Sequence, residues 1–262
     1  MQVNALVNQK DTVALMFHTA ANTVSLTKKA LERVKTLNFG QATESESWGG
    51  RGTIRNSINN TLQIENFQWD SVVIWETRHS GHETDGKFGP DLFKDKVIEI
   101  DFERRRLVVH TTLPQNMATY QAYKLKMQHG FMFMEGRSAV AGGIYNHQFL
   151  IHSGYSGALL FDDTFVEKRE LGKHLKVIKE SELKDAAGNI LKTKKAILPS
   201  FIIGETQLSD LPIGFFEGAI GRQKMSVLGG DILKRFHLIF DLKQAYLYLK
   251  PNALLSLPYT ST

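Results

Sequence analysis

The feature that most limits what this chain can fold into is an internal duplication. Gly89-Pro90-Asp91-Leu92-Phe93-Lys94 and the residues that follow to Asp101 align without gaps with Gly229-Gly230-Asp231-Ile232-Leu233-Lys234 and on to Asp241, 140 positions later. Leu107 meets Leu247 at the same offset. A second pair of blocks lies upstream at an offset of 134, where Val13-Ala14-Leu15-Met16-Phe17-His18-Thr19-Ala20 resembles Gln148-Phe149-Leu150-Ile151-His152-Ser153-Gly154. Each is an apolar run ending in histidine, then a small hydroxyl residue, then a small residue. Two matched blocks in the same order in both halves predict two similar lobes.

The local patterns predict a mostly β protein with a few short helices. Apolar residues crowd positions 13–17 and 149–151, as in buried strands. Val97–Asp101 with Leu107–His110 reads as a hairpin, and Leu238–Asp241 with Tyr246–Leu249 repeats it. Thr27 is placed to cap a short helix running through Lys35, with Ala30, Leu31 and Val34 inward. Gly89 and Gly229 fall where the backbone needs freedom or close approach. The recurring Asp91, Asp231, Asp101 and Asp241 read as caps and turn formers. Pro114 to Tyr120 is largely polar, shows no periodicity and opens on proline, so it reads as a linker between lobes 1–113 and 114–262.

Composition narrows the function classes. The chain has no cysteine, which excludes disulfides, thiolate catalysis and cysteine-ligated zinc. No apolar run approaches the ~18 residues of a membrane span. Net charge is +5. The densest basic runs, Arg104-Arg105-Arg106 and Lys192-Thr193-Lys194-Lys195, lack interleaved aromatics and read as solvated turns, not as a nucleic-acid site.

With these blocks in view, the chain resembles the bilobal pepsin-like and retropepsin-like aspartic proteases, including bacterial members, over nearly its whole length. In that family a strand ends in Asp-Thr/Ser-Gly, followed by an apolar-Gly pair, a short helix and a hairpin. Here His18-Thr19-Ala20-Ala21 stands where Asp-Thr-Gly-Ala is expected, and His152-Ser153-Gly154 stands for Asp-Ser-Gly. Asp85-Gly86-Lys87-Phe88-Gly89 resembles the downstream Asp-Gly-apolar-apolar-Gly, with Lys87 as a departure. Ser226-Val227-Leu228-Gly229 supplies the same element in the second half. Trp48-Gly49-Gly50-Arg51-Gly52-Thr53 is similar to the glycine-rich flap hairpin, with Trp48 for its aromatic residue. The resemblance implies an acid-protease-type fold with a cleft between the lobes, in which Thr19 and Ser153 hold the two loops together.

The main departure concerns chemistry. Both family aspartates are histidine here, so proteolysis by two carboxylates sharing a proton is not expected. Imidazole titrates near pH ~6.5, and two close imidazoles resist double protonation, so a His18/His152 pair offers one base and one acid near neutral pH. This predicts a hydrolase or lyase acting on a glycan, ester or peptide. Thr19, Ser153, Gly154 and Asp85 would support the pair, and Trp48, Arg51 and Arg55 would bind substrate. Two further readings are a catalytically inactive relative that binds a ligand or peptide in the cleft, and a divalent metal on His18 and His152. A catalytic zinc usually has three protein ligands, so no cofactor is expected. His79 and His82 read as solvated loop residues. No nucleic-acid partner and a monomer are expected. The resemblance implies a periplasmic or secreted setting. Met1 leads into a strand pattern with no signal peptide before it, which leaves a cytoplasmic setting open.

Overall fold

Val13, Leu15 and Phe17 are buried and alternate with partly exposed Ala14 and Met16, so the strand that carries them turns one face to a core. The computed structural model describes residues 1–47, 50–184, 190–218 and 223–260. The fold is mostly β and divides into two units, Met1–Lys94 and Asp95–Thr262.

The first unit holds β1 (Gln2–Val7), β2 (Asp11–Phe17), β3 (Val24–Thr27), β4 (Thr43–Ser47), β5 (Gly50–Ile54), β6 (Asn56–Ile64), β7 (Phe67–Thr77) and β8 (Gly86–Phe88). They build a closed barrel in the order β1-β2-β8-β3-β7-β6, with β4 and β5 as a separate hairpin. The barrel interior is filled by Leu15, Leu26, Leu62, Ile74 and Phe88, all nearly inaccessible. Each such side chain contributes about 1.5–3 kcal/mol on burial. One short helix, α1 (Lys28–Leu31), follows β3 and is capped by Thr27, whose Oγ1 accepts from Ala30 N at 3.2 Å. The expected cap is present, but the helix stops well before Lys35. The Asp11 carboxylate takes the Lys35 and Thr36 N–H groups at 3.1 and 3.0 Å, which draws the chain out of helical geometry.

The second unit begins with β9 (Val97–Asp101), β10 (Arg106–His110), β11 (Gln121–Lys124), β12 (Lys126–Gln128), β13 (Phe131–Val140), β14 (Gly143–His152) and β15 (Leu159–Leu160). Helices α2 (Asp163–Lys168) and α3 (Leu171–His174) follow. The remainder is β16 (Lys176–Lys184), β17 (Ile190–Ile203), β18 (Thr206–Gly218), β19 (Ser226–Gly229), α4 (Gly230–Leu233), β20 (Phe236–Asp241) and β21 (Tyr246–Pro251). One sheet runs β12-β13-β14-β19-β15-β18-β17-β16, and an extra β13–β17 pairing turns it back on itself. The resulting ring β13-β14-β19-β15-β18-β17 has the strand order of the first unit's barrel. Lys192–Lys195 lies inside β17 and not in a turn. Cross-strand pairing with β16 and β18 places Lys192 3.6 Å from Glu180 and Lys194 beside Glu217 at 2.6 Å.

Strand register reproduces the duplication residue by residue. In the first unit β2 and β8 pair in parallel as Leu15↔Gly86 and Phe17↔Phe88. In the second, β14 and β19 pair in parallel as Phe149↔Ser226 and Ile151↔Leu228. These are the two sequence offsets, now as hydrogen-bonded partners. β3 and β15 then flank β8 and β19 on the other side, antiparallel in both cases.

The second sheet of this unit, β10-β9-β20-β21-β11, joins the two hairpins. β9 and β20 pair with Glu99 opposite Ile239 and Val97 opposite Asp241, a register that maps onto itself when the copies are exchanged. The hairpin β9–β10, which belongs to the first copy in sequence, is therefore in the second unit by contact. The repeat boundary at 113/114 and the contact boundary at 94/95 describe different things. The turn aspartates act as expected: Asp101 Oδ1 accepts Arg104 N at 2.9 Å, and Asp241 Oδ1 accepts Lys243 N and Gln244 N at 3.1 and 3.0 Å.

The other recurring pair has diverged. Asp231 is held by Lys234 at 2.7 Å, by the Thr260 N–H at 2.7 Å and by the fully buried Arg235. Arg235 also donates to the carbonyls of Leu254, Leu255, Leu257 and Pro258 and stacks 4.0 Å over Tyr259. Asp91 has neither clasp nor tail, and its Oδ1 is buried without a hydrogen-bond partner. Burial pushes the Asp91 carboxyl up, beyond what its backbone bonds and Lys94 counter.

We expect Arg235→Met to cost about 3–5 kcal/mol in urea unfolding, because the buried Asp231 carboxylate loses one of its cations and the Asp231, Leu254, Leu255 and Leu257 carbonyls lose their donor. The segment beyond Pro251 should become the first site of limited proteolysis.

Candidate functional site

β2 delivers His18 one residue past Phe17, the last core position of the strand. Three hydrogen bonds then fix the loop. His18 N donates to Phe88 O at 2.9 Å, Ala21 N donates to His18 O at 3.0 Å, and Ala20 N donates to His18 Nδ1 at 3.1 Å. The last bond is the local turn in which a side-chain acceptor takes the N–H two residues on, here made by an imidazole. His18 and Thr19 are both buried. Since Nδ1 accepts, the ring proton of His18 resides on Nε2.

β14 delivers His152 in the same way. It lies opposite Gly229 of β19, and its carbonyl accepts Tyr155 N at 3.1 Å. Ser153 is half-buried and Gly154 exposed. In each unit a glycine closes the arrangement. A Cβ on Gly89 would lie 1.9 Å from Ala21 O, and one on Gly229 would lie 2.1 Å from Gly157 O. Only glycine lets the strand approach the loop after the histidine this closely.

Of the other expected site residues, Asp85 and Arg55 are engaged by neighbouring groups. Asp85 Oδ2 accepts Ala14 N at 2.7 Å and pairs with Arg33, so this carboxylate ties β2 to the end of α1. The Arg55 guanidinium is engaged by Glu76 through Nε and Nη2 at 2.9 and 2.7 Å and covers the Phe39 ring at 5.1 Å. Glu76 is buried, which raises its carboxyl, but bonds from Arg55 and Lys28 outweigh burial and hold it below the usual range. Arg51 lies on β5, its backbone opposite Glu46 in the expected hairpin, and Trp48 lies outside the described residues. His79 and His82 are exposed, in keeping with solvated loop residues.

Two clusters appear that local pattern does not disclose. His147 Nε2 lies 2.7 Å from Asp162 Oδ2 and 2.8 Å from Ser226 Oγ, and Ser226 Oγ donates to Asp162 Oδ2 at 2.7 Å. The residue types are those of a nucleophile triad, but the geometry is not. One ring nitrogen meets both partners, and Ser226 is 1% exposed. The group is a buried hub: Asp162 Oδ1 also caps α2 through Phe165 N at 2.9 Å. The only sequence signal for it is an aspartate just before an apolar helical run.

The second cluster is Asp101, Glu103 and His237, the group with metal-ligand spacing among the described residues. Glu103 approaches His237 Nε2 at 2.7 Å and Asp101 approaches Nδ1 at 3.7 Å, so the carboxylates occupy opposite ring nitrogens. Arg104 and Arg106 also pair with Asp101 at 3.3 and 3.7 Å, a charge balance already met without a cation. Among the described residues no helix is long and apolar enough to cross a membrane. No protein-family model matches the chain, and no curated protein matches it.

The Asp162 hub predicts acid sensitivity. Burial raises its carboxyl, but hydrogen bonds from His147, Ser226 and Phe165 N outweigh that and hold it below its ordinary value. A depressed folded-state carboxyl contributes fully above the unfolded value of about 4, and the contribution is lost as pH falls through the folded value. We expect Asp162→Ala to cost about 2–4 kcal/mol at pH 7, from a lost cap and two stranded partners. Asp162→Asn should flatten the decline in stability below pH ~4. Chemical denaturation across pH 3 to 7 reads both, and an unaltered acid limb in the variant would contradict the assignment.

Proposed function

We propose that this chain is a hydrolase or lyase of aspartic-protease-like fold in which His18 and His152 replace the carboxylate pair and act near neutral pH. One observation carries the reading: each copy of the repeat ends the corresponding strand on a histidine. Each histidine follows the same parallel pairing with a short strand that closes on glycine. A residue that recurs at the one equivalent point, where the N–H three residues on bonds to the histidine carbonyl in both copies, is the best candidate for shared chemistry. The resemblance to the bilobal proteases in sequence supports the same positions.

The local bonds suggest a division of labour. His18, with Nδ1 taken by Ala20 N–H, presents Nε2–H as a donor to a carbonyl or leaving-group oxygen. A neutral imidazole used as such an electrophile is a known device. His152 is then the base that takes a proton from water or substrate. Thr19 and Ser153 hold the loops. The substrate class is a glycan, ester or peptide. Acid–base assistance is worth on the order of 10²–10⁴-fold, so binding groups must supply the rest.

The test is a screen of glycoside, ester and peptide substrates at pH 5 to 8 with purified protein of known metal content. Activity should peak near neutrality, and His18→Ala and His152→Ala should each lower kcat/KM by about 10²–10⁴-fold while leaving the fold intact. Activity that survives either substitution would remove the histidines from the mechanism.

A further inference from the structure

β3 and β7 run in parallel and end side by side, with Thr27 opposite Thr77. Two chain exits therefore leave the barrel at one point, and both carry basic residues. α1 opens on Lys28 and Lys29, and the loop after β7 opens on Arg78 and His79. Their charges are met unequally. Lys28 lies 3.3 Å from the buried Glu76 carboxylate, which also holds Arg55. Among the described residues no carboxylate pairs with Lys29, Arg78 or His79.

These three side chains line one cavity of about 490 Å³, and the loop from Ser80 to Asp85 forms the rest of its wall. That loop is held in place by its own bonds. Ser80 Oγ donates to Gly86 O and Thr84 Oγ1 to Gly81 O, both at 2.8 Å, and Thr27 N donates to Asp85 O at 2.7 Å. Gly81 packs onto the Met16 thioether, where an added Cβ would come within 2.6 Å of Sδ. The two carboxylates at the cavity do not cancel its cations. Asp85 is taken by Arg33 and by Ala14 N–H, neither of which lines the cavity. The Glu83 side chain is 83% exposed, and its ionic neighbour is His82 at 3.9 Å. Lys29 and Arg78 are therefore in excess over Glu83, and His79 adds a ring N–H donor.

The wall also states what the anion is attached to. An ammonium and a guanidinium on different elements need an anion with oxygens for both, and one guanidinium already occupies the two oxygens of a carboxylate. A tetrahedral oxyanion has oxygens to spare. A lone ion of that kind does not fill the space, which lies within the about 300–1,000 Å³ of small-molecule sites. The remaining wall is polar. Thr27 Oγ1 accepts Ala30 N–H and keeps its own hydrogen to give, while Ser80, Thr84 and Glu83 present oxygen acceptors. Such groups suit hydroxyls and not an apolar body.

We infer that this cavity binds a phosphate or sulfate monoester of a hydroxylated body, with Lys29, Arg78 and His79 on the oxyanion and the Ser80–Asp85 loop on the hydroxyls. The site belongs to the first unit alone and stands whether or not His18 and His152 react.

The experiment is a titration of the full chain, followed by nuclear magnetic resonance at the His79 ring Cε1–H, a signal identified from its absence in His79→Gln. Glucose 6-phosphate, glucose 6-sulfate, inorganic phosphate, inorganic sulfate and glucose are compared at fixed pH and matched ionic strength. At least one ester should move the signal saturably and bind about tenfold tighter than its own inorganic ion, the worth of one or two hydrogen bonds to the body. Glucose alone should not move it. The ester that saturates at lower concentration identifies the oxyanion. Arg78→Ala and Lys29→Ala should each weaken that ester by about tenfold or more, the worth of a charge-assisted hydrogen bond. Lys10→Ala, which removes an exposed lysine from the β1–β2 turn, should leave it unchanged. Failure of both esters to move the signal saturably would overturn the inference. So would an inorganic ion that binds as tightly as its ester, or a loss on Lys10→Ala as large as that on Lys29→Ala and Arg78→Ala, which would reduce the effect to net charge.

Discussion

Everything in either unit that concerns the histidines depends on one packing event: a short strand inserted between two strands that a loop has just separated. β8 enters between β2 and β3, and β19 enters between β14 and β15. Each is parallel to one neighbour and antiparallel to the other, so each strand is hydrogen-bonded along both edges. The histidine loop must then turn tightly over the end of the inserted strand. That is possible only where Gly89 and Gly229 bring backbone against Ala21 and Gly157. A side chain at either glycine would push the loop outward, and with it the residue whose N–H bonds to Phe88.

The duplication is used twice, at different levels. Within each unit it sets the strand order of the ring. In the second unit it also makes the pairing of β9 with β20, where equivalent residues of the two copies meet about Glu99 and Ile239. Ile98, Ile100, Leu238 and Phe240 are all buried there, so the joint is an apolar one. A chain that duplicates a hairpin with one apolar edge acquires a self-complementary surface by the same step. The copies have since parted company where symmetry no longer serves. Asp231 carries a buried arginine and a docked tail, whereas Asp91, its counterpart, carries a buried oxygen with no partner.

How much of this is legible in the sequence follows from range. Strands that end at His18 and His152 show in apolar runs, and the turns at Asp101 and Asp241 show in repeated residues, because both signals lie within a few positions of one another. The pairing of β9 with β20 spans the whole repeat, and no local periodicity encodes it. The contact boundary therefore falls before the hairpin and the repeat boundary after it. The Asp162–His147–Ser226 hub is hidden for the same reason, since its members come from three strands or loops. Asp85 and Arg55 are chemically suitable for a site, but suitability does not say which neighbour claims them first. Ala14 N–H with Arg33 claims one, and Glu76 claims the other.

On the proposed reading, histidine stands where the resembling family has aspartate, and the difference can be weighed bond by bond. A carboxylate at position 18 would accept the Ala20 N–H as readily as the imidazole Nδ1 does, so the turn survives the exchange. What changes is the far side of the group. A carboxylate has only acceptors to offer, and two of them together must share a proton to coexist. An imidazole that accepts through one nitrogen, as His18 does, carries its proton on the other, so His18 is a donor without borrowing. The need for a shared proton disappears, and with it the reason for an acidic optimum. The turn geometry retained around His18 is thus compatible with chemistry at a pH where a carboxylate pair would have lost its shared proton.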